Sequence, residues 1–546
     1  MLLAARSAVA LYRLLDALPA LSGDDRITRF FTLVPGSDFG VDVFSAIEGV
    51  GGTLVPWDEA RSRSYDLVLS ASPKGDVHLL RGQHVLLPHG AGYNKSIPGE
   101  YSDSASGLDP VLLRGEGEGS SGITLHAVAH PDQVTRIASG DPQAAERAKV
   151  VGDPTLERVL ASRPLRERYR AALGTGSRRL VVLASTWGPE SLLGQRPDLP
   201  AELAARLSYD THQLAMVIHP NEHSRLGTYE LTERLAPALD AGMVLVRPHE
   251  EWASVLIAGD VLVTDHGSTA LYYCAAQDRP VVSVYEGGDE LIPGTPMDQL
   301  LSRVPRLESA AALEQALLGY RPGTAEEVAQ TAFAHRGRAL NLLRAELYNL
   351  LGMKPSTSPC APRLLHPPHT TERTPTAFDV DADTNGNSIR VVRRPVGIGP
   401  PGHHLAAEHG AASQAFVHSA GLLYRRPLAV SSGQSGFSWT SDGWMHHALS
   451  AYPGCRSAAA LLTAGLLLLR SRGHPDTYAV TVQPWDEGGQ VTRVDPAAAA
   501  SAVHAWLLHR TPAATATPSR LSCVAGDRAY VLMLRRATAD EAAELF

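Results

Sequence analysis

The chain lacks most of the features that assign a protein to a specialised class. Its four cysteines lie far apart in 546 residues and show no C-x-x-C spacing, which disfavours a disulfide framework and a cysteine zinc site. The net charge is −8, so no general surface for nucleic acid is expected. There is no P-loop and no G-x-S-x-G motif, and the glycines of "AIEGVGGTLV" do not have dinucleotide-binding spacing. We therefore expect no resident metal and no cofactor.

Long hydrophobic runs are also absent. The longest, "AAALLTAGLLLL" at 458–469, spans about 12 residues and is too short to cross a bilayer. We predict that it belongs to a buried helix over 456–472. The opening "MLLAARSAVALYRLLDALPAL" carries Arg6, Arg13 and Asp16 and has no clean apolar core, so it predicts an amphipathic helix and not a signal peptide. A cytoplasmic protein is expected, and peripheral contact with a membrane is compatible with this sequence.

From residue 27 onward, apolar strand-like runs alternate with helical segments in two series of similar length. This alternation is typical of parallel α/β sheets. We predict an α/β fold with two Rossmann-like, doubly wound domains that face each other across a cleft, over residues 1–160 and 161–353. A helix at 325–351 would close the second domain.

The rest of the chain differs in composition. The proline-rich stretch 354–375 cannot sustain a helix or a central strand and is predicted to be a linker. Residues 376–546 are rich in Gly, His and Ser, and we predict a small α+β domain there that serves acceptor choice, attachment or partner binding. On this division, a chain that ends near Met353 should fold and bind nucleotide without the C-terminal region.

Four predicted strands end in turns that are unusually rich in histidine, hydroxyl and glycine residues. In an open α/β sheet such turns meet at the carboxyl ends of the strands, where ligands bind. The repeated residue types favour a binding site over simple capping of helices. The turns contain Pro88-His89-Gly90, Ser185-Thr186, His219-Pro220-Asn221, and Asp265-His266-Gly267-Ser268-Thr269.

The turn at 265–269 has two interpretations. Ser268 and Thr269 could accept bonds from the first N–H groups of the helix that follows, as helix caps do. Alternatively, the same N–H groups and the helix dipole could bind a phosphate. In that case the hydroxyls would help to bind the anion.

Several motifs resemble those of the CDP-glycerol glycerophosphotransferases, the teichoic-acid polymerases and primases. They are "LPHG", "VVGDPTLER", "LASTWG", "IHPN" and "VTDHGSTALYYCAAQDRPVV", which follow one another over roughly residues 80–300. The family has the two-domain GT-B fold, so the resemblance implies that architecture for this chain. The second domain is also similar, more distantly, to the corresponding domain of nucleotide-sugar epimerases and glycosyltransferases.

The resemblance implies roles for individual residues. His89 matches the family's catalytic base, which would take a proton from an acceptor hydroxyl, and an imidazole suits this task near neutral pH. His219 matches a second histidine at the diphosphate, and Ser268 with Thr269 match the serines that bind the donor phosphates. Asp265 is expected to fix its loop by accepting backbone N–H bonds. The remaining candidates for the substrate-binding turns are Gly90, Thr186, Asn221 and Gly267.

The chain departs from the family pattern at several of these positions. Pro88 stands where the family has tryptophan, and His266 where it has tyrosine. Gly267-Ser268-Thr269 replaces a Ser-Ser pair, and the lysine expected after the "HG" turn corresponds to Lys95. These departures put the substrate in question more than the fold.

Three functions follow from the sequence. The first is transfer of a phospho-alcohol group, such as glycerol phosphate, from a nucleotide-diphosphate donor to a hydroxyl acceptor, which a membrane anchor could carry. The second is a glycosyltransferase or epimerase of the same fold that uses a nucleotide sugar. The third is a nucleotide-binding module that has lost its activity.

Overall fold

The structure is a computed structural model. It describes residues 1–36, 41–88, 90–96, 122–357, 360–369, 373–427, 438–487, 489–511, 518–526 and 528–545. His89 lies outside these described residues. Two parallel β-sheets and a closed barrel organise the described chain.

The first sheet has six strands in the order β2-β1-β3-β4-β5-β6, all paired in parallel. The expectation of an opening helix is wrong at its start, because Leu2–Ala5 form a buried strand inside this sheet and the helix begins only at Ala8. An apolar run of four residues cannot be told from the first turn of a helix by periodicity alone. The strands are β1 (Leu2–Ala5), β2 (Phe30–Leu33), β3 (Ser64–Ser70), β4 (Arg81–Leu86), β5 (Ile123–Val128) and β6 (Ala148–Val150).

The second sheet has five parallel strands in the order β11-β10-β7-β8-β9. Its central strands are buried on both faces, as their continuous apolar sequences predict. The expected pair of doubly wound α/β sheets is thus confirmed. The strands are β7 (Arg179–Ser185), β8 (His212–Ile218), β9 (Val244–Leu245), β10 (Val261–Thr264) and β11 (Val281–Ser283).

Helices cover both sheets. Those that follow first-sheet strands are Ala8–Ala17, Leu18–Leu21, Val41–Gly49, Trp57–Ser62, Asp76–Leu79, Pro131–Gly140, Pro142–Glu146 and Pro154–Ser162. Those of the second part are Arg163–Leu165, Arg166–Ala172, Leu192–Gln195, Leu199–Arg206, Pro220–Arg234, Ala236–Asp240, Trp252–Ala258, Thr269–Ala276, Pro296–Arg303, Ala310–Ala312, Leu313–Leu318, Thr324–Ala332 and Ala339–Leu350.

The helix expected over 325–351 is two helices with different partners. Thr324–Ala332 packs into the core of the second sheet, as predicted. After a break, Ala339–Leu350 places Leu340, Leu343 and Leu347 in the core of the first sheet. The chain therefore crosses back to the first domain. An amphipathic pattern shows that one face of a helix is buried, but not which sheet buries it.

The C-terminal region is a closed nine-stranded barrel wrapped around a helix. The predicted helix at 456–472 is wrong, since this run forms two antiparallel strands, Ser457–Leu461 and Leu466–Ser471. The strands are β12 (Ala377–Asn385), β13 (Ser388–Pro395), β14 (His404–Glu408), β15 (Leu422–Arg425), β16 (Ser457–Leu461), β17 (Leu466–Ser471), β18 (Thr477–Val482), β21 (Ser519–Ala525) and β22 (Arg528–Arg536), with a separate hairpin of β19 (Trp485–Glu487) and β20 (Gln490–Thr492).

Helix Pro496–Leu508 fills the barrel. Its sequence is almost entirely apolar, every residue except Leu508 is buried, and its alanine, valine, tryptophan and leucine side chains pack in a core formed with the nine strands. A helix with no polar face is stable only when it is surrounded. The other barrel-associated helices are Gln414–Ser419, Ser441–Ala451 and Ala539–Ala543. Within the described residues, the structure contains no helix with the length and apolar character required to cross a membrane.

The barrel docks on the second sheet at the amino ends of its strands. Arg393, fully buried, donates to Asp210 at 2.5 and 3.0 Å and to Asp495 at 2.8 Å. Asp210 lies two residues before β8 begins, whereas the polar turns predicted from the sequence lie at the opposite, carboxyl ends. The barrel and the candidate site are therefore at opposite ends of the second sheet.

Candidate functional site

A cleft of about 310 Å³ lies where the carboxyl ends of the two sheets face each other. Residues that follow β1, β3, β7, β8 and β10 line it together. This is the position at which open α/β sheets bind ligands. All of the predicted site residues that the structure describes line this cleft: Gly90, Thr186, His219, Asn221, Asp265, Gly267, Ser268 and Thr269.

Asp265 organises the turn that follows β10. One of its carboxylate oxygens accepts the backbone N–H of Thr186 at 2.8 Å and of Leu192 at 2.7 Å, and the other accepts that of Gly267 at 2.8 Å. Burial raises the pKa of Asp265, and these three backbone bonds and nearby His266 act against that rise. Its oxygens are thus engaged by the protein itself, so Asp265 shapes the site.

The turn at 265–269 leads into helix Thr269–Ala276. Ser268 occupies the cap position, yet its side chain makes no capping bond to the helix. Gly267 is closely packed, since an added Cβ would lie 3.1 Å from Asp265 Oδ1 and from Thr186 Cβ. Gly267, Ser268 and Thr269 are half-buried and line the cleft at the N-terminus of this helix, a position at which anions bind readily. The geometry favours the anion-binding interpretation over the capping one.

Gly90 brings the first domain to this turn. A Cβ added at Gly90 would lie 3.4 Å from Ser268 Oγ, so the turns that follow β4 and β10 meet across the cleft. Residue 89 immediately precedes Gly90 in the chain. The role of His89 as a base stays a prediction.

His219 caps a second helical segment at the cleft, Pro220–Arg234, which is interrupted by a kink at Gly227. Its Nδ1 accepts the backbone N–H of Asn221 at 3.1 Å, so in the neutral imidazole the proton is on Nε2. Trp187 lies against His219, with 6.5 Å between the ring centres. The bond from Asn221 fixes the His219 ring where it lines the cleft.

A buried group of charged residues, which the sequence did not single out as a unit, adjoins this turn. His266 Nε2 lies 2.9 Å from Glu290 Oε2, and Lys95 Nζ lies 2.6 Å from the same oxygen. Lys95 also donates to the carbonyl of Trp187 at 2.8 Å and lies 4.4 Å from the centre of its ring. No local sequence pattern relates residues 95, 187, 266 and 290, so only the fold brings them together.

The residues best placed to hold a metal ion are in the same region. Ligand atoms of Glu190, His266 and Glu290 lie within 4.8 Å of one another. Burial opposes ionisation of Glu190, but the Tyr285 hydroxyl and the N–H groups of Asp289 and Glu290 lower its pKa overall. Within this group, Glu290 is also paired with the Lys95 ammonium.

The first helix of the chain also reaches the cleft. Arg13 lies 5.0 Å from the ring centre of Tyr272 and 5.7 Å from that of Trp252, both in the second domain. Tyr12 stacks on His249 with 5.4 Å between ring centres. Sequence reasoning missed these residues because it read 1–21 as one helix. The pattern of a short apolar strand followed by Arg6 and the helix-capping Ser7 could have found the turn.

The arrangement provides two helix N-termini and several cations around one enclosed space. Cationic residues that line it include Arg6, Lys74, Lys95 and Arg247. Backbone N–H groups and cations at this density stabilise negative charge, whether on a bound ligand or in a transition state.

No family model and no curated protein sequence matches the chain. Among solved structures it is similar to the wall teichoic acid polymerase TagF, at 13% identity and a TM-score of 0.45 over 64% of this chain and 88% of that one. It is similar to S. aureus MnaA bound to UDP, at 11% identity and a TM-score of 0.43 over 67% and 99%. It is similar to UDP-GlcNAc 2-epimerase from Neisseria meningitidis, at 12% identity and a TM-score of 0.42 over 64% and 99%.

Proposed function

We propose that the protein is a transferase that moves a phospho-alcohol group, glycerol phosphate or a relative, from a nucleotide-diphosphate donor to a hydroxyl. The observation that carries this proposal is the convergence of two helix N-termini, at His219 and at Ser268, on one cleft between two α/β domains. A diphosphate is the ligand class that such a convergence suits best. The identity of the transferred group, a phospho-alcohol, rests on the resemblance of the sequence motifs to those of the glycerophosphotransferases.

In this proposal each side chain has a physical task. Ser268 and Thr269 donate hydroxyl bonds to one phosphate, and His219 donates its Nε2–H to the diphosphate. Asp265 holds the turn that carries them. Displacement at phosphorus requires an attacking oxygen held in line and stabilisation of the charge on the leaving diphosphate. The helix N-termini supply the second requirement, and His89 would accept the proton of the attacking hydroxyl.

The competing function is the transfer or epimerisation of a nucleotide sugar in the same cleft. Both reactions need a diphosphate site, so the site residues do not separate them. They differ in the bond that breaks. Phospho-alcohol transfer breaks the bond between the bridging diphosphate oxygen and the outer phosphorus and releases a nucleoside monophosphate. Glycosyl transfer breaks the bond between the sugar and the diphosphate and releases a nucleoside diphosphate.

The experiment follows from that difference. The protein is first screened by thermal shift against CDP, UDP, CMP and UMP, because a ligand that binds the folded state raises the melting temperature. It is then incubated with CDP-glycerol or UDP-N-acetylglucosamine and a hydroxyl acceptor. Release of CMP from CDP-glycerol supports the proposal, while release of UDP or formation of an epimer supports the nucleotide sugar. Nucleotide binding without any product identifies an inactive binding module.

A further inference from the structure

Glu290 links the two domains through a single carboxylate oxygen. Its Oε2 lies 2.6 Å from Lys95 Nζ in the first domain and 2.9 Å from His266 Nε2 in the second. Glu290 is only 4% exposed. Because it is buried and contacts both neighbours, the Glu290 carboxylate is held in one position relative to the two domains.

The backbone around Glu290 strengthens this link. The Glu290 carbonyl accepts the N–H of Ser96 at 2.7 Å, and the N–H of Ile292 bonds to the Asn94 carbonyl at 2.9 Å. Lys95 and Leu291 form an antiparallel β-bridge between these two bonds. Lys95 is therefore carried on a short segment of the first domain that is paired with a loop of the second.

The Lys95 side chain then lies along the wall of the cleft. Its ammonium is over the ring of Trp187, and Trp187 in turn packs against His219. Gly188 lies directly beside the Lys95–Glu290 pair. A Cβ added at Gly188 would lie 3.3 Å from Glu290 Oε1 and 3.7 Å from Lys95 Nζ. One continuous set of contacts thus runs from His266, at the turn of Ser268, through Glu290 and Lys95 to the turn of His219.

We infer that Glu290, with His266 behind it, is a positioning residue that fixes the Lys95 ammonium between the two anion-binding turns, where it meets the negative charge of a diphosphate. This inference rests on the proposed function. A free lysine side chain has four rotatable bonds and loses rotamer freedom when it is fixed, so an ammonium already held in place binds a phosphate better than a mobile one. Glu290 does not contact the ligand in this account and acts only through Lys95.

The experiment is a double-mutant cycle of Glu290→Gln and Lys95→Met in the full chain, with binding of UDP, CDP, uridine and cytidine measured by titration calorimetry. We expect each single variant to weaken nucleoside-diphosphate binding about tenfold, which is typical for loss of one well-placed charged hydrogen bond. Nucleoside binding should change less than twofold. The double variant should bind no more weakly than Lys95→Met alone, because Glu290 has no effect once its partner is gone.

Glu286→Gln, an exposed glutamate of the same loop, is the matched control and should leave all affinities unchanged. Losses that add in the double variant, or equal losses for diphosphates and nucleosides, overturn the inference and assign Glu290 a structural role. If Glu290→Gln shows no cooperative melting transition, His266→Gln replaces it in the same cycle with the same expected pattern. If the unmodified protein binds no nucleoside diphosphate at all, the proposed function itself fails, and this result is distinct from the other two.

Discussion

Asp265 accepts the backbone N–H of Thr186 at 2.8 Å and thereby ties the turn after β10 to the turn after its neighbour β7. Residues 186 and 265 are far apart in sequence, but their strands are adjacent in the sheet. The same carboxylate bonds to Leu192 and Gly267. One side chain therefore sets the shape of one wall of the cleft.

Replacement of Asp265 by Asn should lower the stability of the protein. An asparagine amide presents one acceptor oxygen and one NH₂ group. At least one of the three buried backbone N–H groups would therefore face the NH₂ group, which cannot accept its hydrogen bond. An unsatisfied buried donor costs about 1–3 kcal/mol. Urea denaturation would measure the loss, with Asp289→Asn, an exposed residue, as the control. A variant as stable as the parent would contradict the assigned role.

Removal of both hydroxyls, by Ser268→Ala with Thr269→Ala, should weaken diphosphate binding more than nucleoside binding. We expect a loss of at least about tenfold for CDP or UDP, since even one hydrogen bond to a charged group contributes about 1.5–3 kcal/mol. Calorimetry with the nucleoside diphosphates and the nucleosides measures the difference.

The control for this pair is Thr440→Ala, because the Thr440 hydroxyl does cap its helix in the barrel. That variant should lose about 1 kcal/mol of stability and no affinity. Equal affinity losses for diphosphates and nucleosides in the Ser268/Thr269 variant would argue against contact with the phosphates.

His89→Ala should reduce turnover by roughly 100-fold or more while donor binding changes little, as expected for loss of a general base. The prediction rests on the "HG" motif of the sequence, in which His89 directly precedes Gly90. Rate measurement with the donor identified by the screen, alongside direct donor titration, tests it. Near-normal turnover would show that another group accepts the proton.

The prediction that a chain ending near Met353 folds can now be refined. Residue 365 lies beyond that end, yet its leucine side chain is buried in the second-domain core and lines the cleft. Its backbone bonds to Ser162 and Tyr169. Loss of this leucine from the core should cost roughly 2 kcal/mol.

We therefore expect a chain of residues 1–369 to melt higher than one of residues 1–353. Both lack Arg393, which leaves Asp210 without its buried partner, so each should be less stable than the full protein. Thermal melts of the three proteins would test this order. Identical transitions for the two shortened chains would show that 354–369 contributes nothing to the core.

The stability of the protein should fall as the pH is lowered below about 6.5. Burial lowers the pKa of His126 and His404 to about 4 and that of His504 to about 3. The unfolded histidines titrate near 6.5, so between these values the unfolded chain binds protons that the folded chain does not. Stability is full above that range and is lost at a limiting slope of about 4 kcal/mol per pH unit for three groups.

Urea denaturation at pH 7, 6 and 5 measures this slope. His504→Gln should reduce this slope because it removes one of the buried histidines whose pKa is lowered in the folded protein. His446→Gln, at an exposed position, should leave it unchanged. Stability that is constant from pH 7 to pH 5 would contradict the prediction.

The sequence by itself determined the two α/β series and the polar turns at the ends of their strands. Continuous apolar runs such as "RRLVVLAST" and "DVLVTDHG" predict strands that are buried on both faces. Hydroxyl and histidine residues that directly follow such strands lie at the carboxyl edge of the sheet, where ligands bind. For this reason the described site residues, from Gly90 to Thr269, were found together in one cleft. These features depend on local periodicity, which a sequence displays directly.

Tertiary structure decided the rest. Whether 456–472 is a helix or two strands depended on the barrel that surrounds it, since an apolar run with no period fits either. Leu340 and Leu347 could have covered either sheet, and packing assigned them to the first. The contacts of Lys95 and His266 with Glu290 join residues with no sequence relationship. In each case the local sequence pattern allows more than one packing partner. Which partner buries the segment is decided only when the whole chain folds.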